Sequence, residues 1–405
     1  MGYVAYGMDG GGQAWQKGGD RRRRMSFLKT VVTARAVVFA FAAMGILWGS
    51  FAAVMPDLKA QLGVDEARLG GLLLFTPLAA VTAMLLAPLI GHRLGKVALP
   101  LSAGAMALAF TLPGTVVVPW MFPLAMMVCG FGTGLTDVLM NARTAELETT
   151  RKVHLMNLAH AAYSFGYGGG AICTGQLRGL GWTPDLVLGT MALLALVFAL
   201  LTFERDGAIH GLKRPEAGGP GLGLVPLIGG GMVLIAFLTE NAAEGWSALH
   251  IEKTLGGSPE EGALGPAVLA LTMGVARLMG QGLVARLDPF RLLMGGALIA
   301  ACGALIASQA GTPNAAYAGF IILGVGSSVI APTAFSLVGR HSAEGTRARA
   351  VARATLYGYF GYFVGPPALG IIAGTFSLRA AFIFAAVMLM FILVLAPLMR
   401  RAARS

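Results

Sequence analysis

Asp137, in the stretch GLTDVLMNAR, follows the apolar run PWMFPLAMMVCGFGT, which carries no charge of its own. An ionised side chain at the centre of a bilayer costs about 3 kcal/mol on insertion scales, so such a group marks a function or a close partner. Asn141 lies one turn further along, on the same helical face. At a rise of 1.5 Å per residue, Asp137 sits roughly 15 Å from one end of its span and His160 roughly 12 Å into the next. The two are therefore at similar depth on antiparallel neighbours and can face one another. Burial disfavours the charged form of a carboxyl, and imidazole titrates near physiological pH. The chemistry this suits is reversible protonation, with Asp137 and His160 as proton-coupling residues. The alternative is a structural Asp–His or Asp–Asn hydrogen bond that locks two helices.

A second group of polar residues lies in ENAAEGWSALHI, where Glu240 and Glu244 share a face, with Asn241 and Trp246 beside them. With Asn141 they are candidates for binding a polar substrate or closing an outer gate. The alternative for this group is a watery rim with Trp246 as an interface anchor. Tyr163 and Tyr357 are candidate stacking platforms and Ser327 a candidate hydroxyl, all three read as substrate-binding. Tyr167, Tyr359 and Tyr362 are expected to pack between helices. Arg143, Arg277 and Arg353 lie near cytoplasmic span ends, where long side chains snorkel to the headgroups. An inward gate is the other reading, and Arg353 is carried as a gating candidate.

These residues need a membrane to position them. Of 405 residues, 56% are hydrophobic and 12% charged, about half the charged fraction of a soluble protein. A water-soluble fold of this length is excluded. A span needs about 20 apolar residues, and about twelve candidates appear. Six lie near 34–56, 67–91, 97–118, 120–147, 153–177 and 184–203. Six more lie near 223–248, 261–284, 290–309, 314–338, 348–373 and 377–399. About 25 of the 30 Lys and Arg fall in the tails and in the loops after even-numbered spans. Positive charge marks the cytoplasmic side, so both termini are expected there, in the inner membrane. The net charge of +11 then reports topology and contact with anionic lipid, and nucleic acid is excluded as a partner. The cluster RRRRMSFLK is expected to serve that role and not as a cleaved export signal, with Met25 an alternative start.

The polar stretch ERDGAIHGLKRPEAGGPGLG divides the spans six and six, and the halves resemble each other. GFGTGL at 130–135 matches GVGSSV at 324–329, FGY at 165–167 matches FGY at 360–362, Arg93-Leu94 matches Arg286-Leu287, and Leu62-Gly63 matches Leu255-Gly256. The offsets are 193 to 195 throughout, obtained by subtracting those positions. Parallel repeats about an axis along the membrane normal are a transporter architecture, with the solute site between the halves. The expected organisation is a tail at 1–30, a six-helix bundle at 31–203, a linker at 204–222, a second bundle at 223–400 and a tail at 401–405. The expected fold is all-α, with twelve transmembrane helices in two pseudo-symmetric bundles.

With these residues in hand, the chain resembles the major facilitator superfamily. That superfamily's loop signature, G-x-x-x-D-R-x-G-R/K, is kept in PLIGHRLGK at Arg93, Gly95 and Lys96, with His92 in place of the aspartate. The second copy keeps Arg286. Arg93 and Arg286 are therefore gating candidates by resemblance, although the aspartate of the gate is missing from both. Within the superfamily, an acid followed four positions later by asparagine resembles the fucose-permease-like branch. HAAYSFG and GYFVGPPALG add to that likeness. The resemblance implies proton-coupled symport of a sugar-like solute by alternating access.

Enzyme chemistry is not expected. GYGGGA lies inside a span and follows no strand, so it is no dinucleotide site. The three cysteines fall in apolar runs, without metal or disulfide spacing. No cofactor is expected, and the partners are a small-molecule substrate, protons and membrane lipid, with the chain acting as a monomer. The alternative function is an exporter or facilitator of an amphipathic compound, without proton coupling at Asp137.

Overall fold

The computed structural model describes residues 34–151, 155–209, 222–284, 287–342 and 346–402. Among them it is built from α-helices and short 3₁₀ and π turns, without strands. Lipid offers no partner for a bare N–H or C=O, so a chain this apolar must close its hydrogen bonds within helices.

The first half comprises α1 (Arg35–Leu62), α2 (Glu66–Leu73), α3 (Phe75–Leu94), α4 (Ala98–Ala109), α5 (Leu112–Thr115), α6 (Phe122–Arg151), α7 (Met156–Gly179) and α8 (Pro184–Leu201). The second comprises α9 (Val225–Leu249), α10 (Pro259–Val284), α11 (Pro289–Gln309), α12 (Pro313–Arg340), α13 (Arg347–Thr375) and α14 (Leu378–Ala402). A π turn, His250–Thr254, follows α9 directly. The two largest clusters of buried apolar side chains keep to these halves, one drawn from residues 36–209 and the other from 225–399.

Nine helical segments among the described residues are long and apolar enough to cross a membrane. Met156–Gly179 and Arg347–Thr375 are not in that set, although they run for 24 and 29 residues. They are the glycine- and tyrosine-rich helices, and tyrosines of both line the cavity described below. Elsewhere the outward faces are apolar: Leu85, Leu193 and Leu200 expose 68%, 64% and 68% of their surface. Such a surface is at rest only in lipid.

Helix ends follow the local chemistry. Asp65 caps α2 by accepting from the Arg68 N–H at 2.7 Å, and Asp288 caps α11 by accepting from the Arg291 N–H at 3.0 Å. Gly63 after α1 and Gly256 after the π turn both take positive φ, 62° and 71°. A left-handed residue ends a helix readily only when it lacks a Cβ. These are the two glycines that the internal repeat pairs.

Packing inside each half relies on small residues, as lipid requires. A Cβ on Gly45 or Gly49 of α1 would run into the backbone carbonyls of Tyr163 and Tyr167 on α7. In return, Gly166 and Gly170 of α7 sit against Ala42 and Ile46 of α1. Between the halves the seam is also small: Ala53 and Ala171 meet Ala263 and Ala267, and Gly70 of α2 meets Pro366 and Gly370 of α13.

Candidate functional site

A cavity of about 360 Å³ lies between the halves, lined from α1, α2, α3, α6 and α7 on one side and α9, α10 and α13 on the other. Its polar lining gathers Asp137, His160, Tyr163, Glu240, Asn241, Glu244 and Arg277. Its apolar walls include Phe41, Trp48, Phe51 and Phe237 with methionines such as Met44, Met84 and Met273.

Asp137 projects from the middle of α6 and is partly buried. The Asn141 side-chain amide donates to its Oδ1 at 3.1 Å and to its backbone carbonyl at 2.9 Å. The Tyr359 hydroxyl, from α13, donates to its Oδ2 at 3.4 Å. The carboxyl is thus held by one group from its own helix and one from the other half. His160 lines the same cavity, but its ring packs edge-on to Phe41 at 5.0 Å and makes no hydrogen bond to Asp137 among the described residues. The shared depth of the pair is present; a direct bond is not.

On α9, Glu240 is 7% exposed and its Oε1 lies 3.6 Å from Arg277 Nη2. Arg277 was expected to snorkel; it turns into the cavity, because a buried carboxylate is a better partner than the headgroups are at that depth. Trp246 lines the cavity at 2% exposure, which rules out the interface-anchor reading. Arg143 also fails to snorkel. It is 5% exposed and donates to Glu204 Oε2 through Nε and Nη2 at 3.0 and 2.8 Å. The first residues of the expected linker are tied down by that pair.

Several candidates lie away from the cavity. Tyr357 packs against Gly230 of α9, while Tyr359 and Tyr362, read as packing residues, do line it. The face of α13 was assigned to the wrong tyrosines, since residues two and five positions on from Tyr357 turn to a different side. Ser327 is 1% exposed inside α12 and its hydroxyl has no partner among the described residues. Arg93 and Arg353 are exposed side chains of α3 and α13. Arg286 lies outside the described residues.

The sequence reading missed one cluster altogether. Arg178, in the last turn of α7, donates to both oxygens of Asp57 on α1 and to both oxygens of Glu252 in the π turn, at 2.6 to 3.0 Å. Its Nη1 also donates to the Ala53 carbonyl at 2.7 Å. The side chain is 1% exposed. The usable signal was that Asp57 and Glu252 both fall just ahead of Gly63 and Gly256, the paired glycines of the repeat.

The chain is similar to membrane transporters in sequence and in fold. Residues 230–405 match the Major Facilitator Superfamily. An uncharacterised MFS-type transporter of Yersinia pestis is 32% identical over 348 residues, which span 85% of this chain and 89% of the relative. The crystal structure of a bacterial homologue of the human lysosomal transporter Spinster, inward-facing and occupied, superposes with a TM-score of 0.72 at 15% identity, over 92% of this chain and 97% of that one. The E. coli fucose:proton symporter superposes with a TM-score of 0.59 at 15% identity, over 92% and 99%. The structural likenesses speak for the fold and the Yersinia relative for the family. Two helical halves, a polar cavity on the seam between them and a relative matched along most of its length place this chain in the major facilitator superfamily.

Proposed function

We propose that the chain is a secondary active transporter that moves a small polar solute across the inner membrane by alternating access, coupled to protons through Asp137. The observation that carries this reading is the placement of Asp137: a carboxyl in the cavity, bonded to Asn141 on its own helix and to Tyr359 across the seam. A group whose charge changes at such a junction alters how strongly the two halves hold each other. Protonation removes the carboxylate's demand for donors and favours a different closure of the seam. His160 lines the same space and supplies a second site for the proton. Tyr163, Glu240, Asn241, Glu244 and Trp246 form the solute site, and Asn141 serves it through Asp137.

The direction of the present closure follows from the contacts between halves. Gly70 with Gly370, Gly175 with Ala263, and Arg178 with Glu252 all lie toward the end that the charge bias assigns to the outside. The same charge bias assigns both termini to the opposite, cytoplasmic side. In this state Arg178 acts as an outer latch. The 204–222 segment joins two bundles, 31–203 and 223–400, that rock about the cavity.

The likeness to the fucose:proton symporter favours symport of a sugar-like solute. The phenylalanine and methionine walls favour the second reading, export or facilitated passage of an amphipathic compound. Proteoliposomes enclosing a pH-sensitive dye separate the two. A panel of monosaccharides, amino sugars and sugar acids is added outside, and proton entry is followed with solute entry. Symport is expected to acidify the lumen with wild-type protein and not with Asp137→Asn, while solute counterflow continues in the variant. Proton entry that persists in Asp137→Asn would remove Asp137 from the mechanism.

A further inference from the structure

The cavity is unequal in charge. Its lining holds three carboxyl groups, from Asp137, Glu240 and Glu244, against one guanidinium, from Arg277. That guanidinium is taken by Glu240 at 3.6 Å. Glu240 and Glu244 stand one turn apart on α9, so their charges repel on a shared face. Among the described residues Glu244 has neither a hydrogen bond nor an ion pair. Asp137 is accounted for by Asn141 and Tyr359. One carboxyl group, that of Glu244, therefore faces the cavity with no hydrogen bond or ion pair of its own among the described residues.

Other cavity-lining atoms also await a partner. The Thr76 and Thr133 hydroxyls make no hydrogen bond among the described residues, and Thr76 is only 7% exposed. Buried polar groups are nearly always satisfied, so these point to a bound molecule that supplies donors. A metal ion fits poorly, because no three acidic, histidine or cysteine side chains converge among the described residues. An anionic solute would meet a guanidinium already neutralised and two further carboxyls. The ring walls favour a cation: Phe237 stacks on Tyr362 at 4.7 Å and meets Tyr359 at 6.0 Å, and aromatic faces attract positive charge.

We infer that the transported solute carries a protonated amine, held by Glu244 and the Phe237–Tyr362 pair, on a body small enough for the cavity. This rests on the cavity being the solute site proposed above and narrows the solute to organic amines.

The test uses the full chain in lipid nanodiscs at a fixed pH, read by tryptophan fluorescence, since Trp48 and Trp246 line the cavity. The probes are matched triads on three frames: cyclohexylamine, cyclohexanol and cyclohexanecarboxylate; glucosamine, glucose and glucuronate; phenethylamine, phenethyl alcohol and phenylpropionate. In at least one frame the amine is expected to bind tenfold or more tighter than both partners. Glu244→Gln is expected to abolish that preference of amine over alcohol and carboxylate. Equal or tighter binding of the alcohols or carboxylates, a preference intact in Glu244→Gln, an equal response to sodium chloride alone, or no binding of any amine overturns the inference. The wild-type preference is read without a variant, so a poorly folded Glu244→Gln does not hide the answer. No gradient or transport is involved, so the result is independent of whether Asp137 couples protons in vesicles.

Discussion

Arg178 grips Asp57 with two parallel hydrogen bonds, Nε to Oδ2 at 2.6 Å and Nη2 to Oδ1 at 2.7 Å. Two further donors of the same guanidinium reach Glu252, in the other half of the molecule, at 2.7 and 3.0 Å. A planar fork can meet two carboxylates with paired contacts to each; an ammonium, with its three donors on one nitrogen, cannot form both pairs. Arg178→Lys is therefore expected to hold only part of the latch, and Arg178→Gln to leave Asp57 and Glu252 repelling. Removing one partner of a buried pair costs roughly 3–5 kcal/mol, and less here because the Asp57 side chain is 35% exposed. Ala263, packed against Ala53 and Ala171 behind the latch, is the reporter. Labelling of Ala263→Cys by an impermeant maleimide is expected to rise severalfold in Arg178→Gln and less in Arg178→Lys. Equal labelling in all three would refute the latch.

Tyr359 and Asp137 meet across the seam at 3.4 Å. A hydrogen bond to a charged group contributes about 1.5–3 kcal/mol when well formed, and this one is long. Tyr359→Phe is thus expected to slow proton-driven uptake less than tenfold and to leave counterflow near the wild-type rate. Asp137→Asn is expected to abolish the driven component. A Tyr359→Phe variant as inactive as Asp137→Asn would mean the tyrosine has a larger role than this bond.

Glu240 and Arg277 are expected to depend on each other. Arg277→Met leaves a carboxylate at 7% exposure without its counter-charge, and the melting temperature is expected to fall. Adding Glu240→Gln removes the charge that caused the penalty, so the double variant is expected to melt above Arg277→Met alone. Strictly additive losses would show that the pair, 3.6 Å apart, is not coupled.

The α1–α7 contact predicts a contrast between glycines. Gly45→Ala places a methyl group against the Tyr163 carbonyl, and neither backbone can move aside alone. Overpacking typically costs 1–3 kcal/mol, and backbone against backbone lies at the upper end. Gly169→Ala on the same α7 has open space around it and is expected to be neutral. Monodisperse elution and melting of fusion proteins compare the two; equal behaviour would count against the packing described.

Much of this was legible because lipid narrows the choices. Apolar length gave the helices, and a charge in the wrong solvent gave Asp137, Glu240 and Glu244, all of which line the cavity. The repeat was legible in Gly63 and Gly256, whose positive φ angles show the two halves ending a helix alike. What failed was the direction of side chains on a known helix. Tyr357 was preferred over Tyr359 and Tyr362 because a few residues of rotation separate the seam from the bundle interior. Arg143 and Arg277 were sent to the headgroups because snorkelling is a rule about depth, and depth does not reveal a carboxylate on another helix. Arg178 went unnoticed for the same reason: its partners lie 121 and 74 positions away.

The π turn at His250–Thr254 bears on how the closure at Arg178 is inherited. In an α-helix each residue advances about 100° around the axis, and the wider turn delays that advance just where Glu252 must reach Arg178. The meeting of the halves is therefore set by backbone winding as well as by residue identity. Losing one amino acid from this turn would swing Glu252 aside with every side chain of the latch still encoded, so insertions and deletions here would matter more than many substitutions.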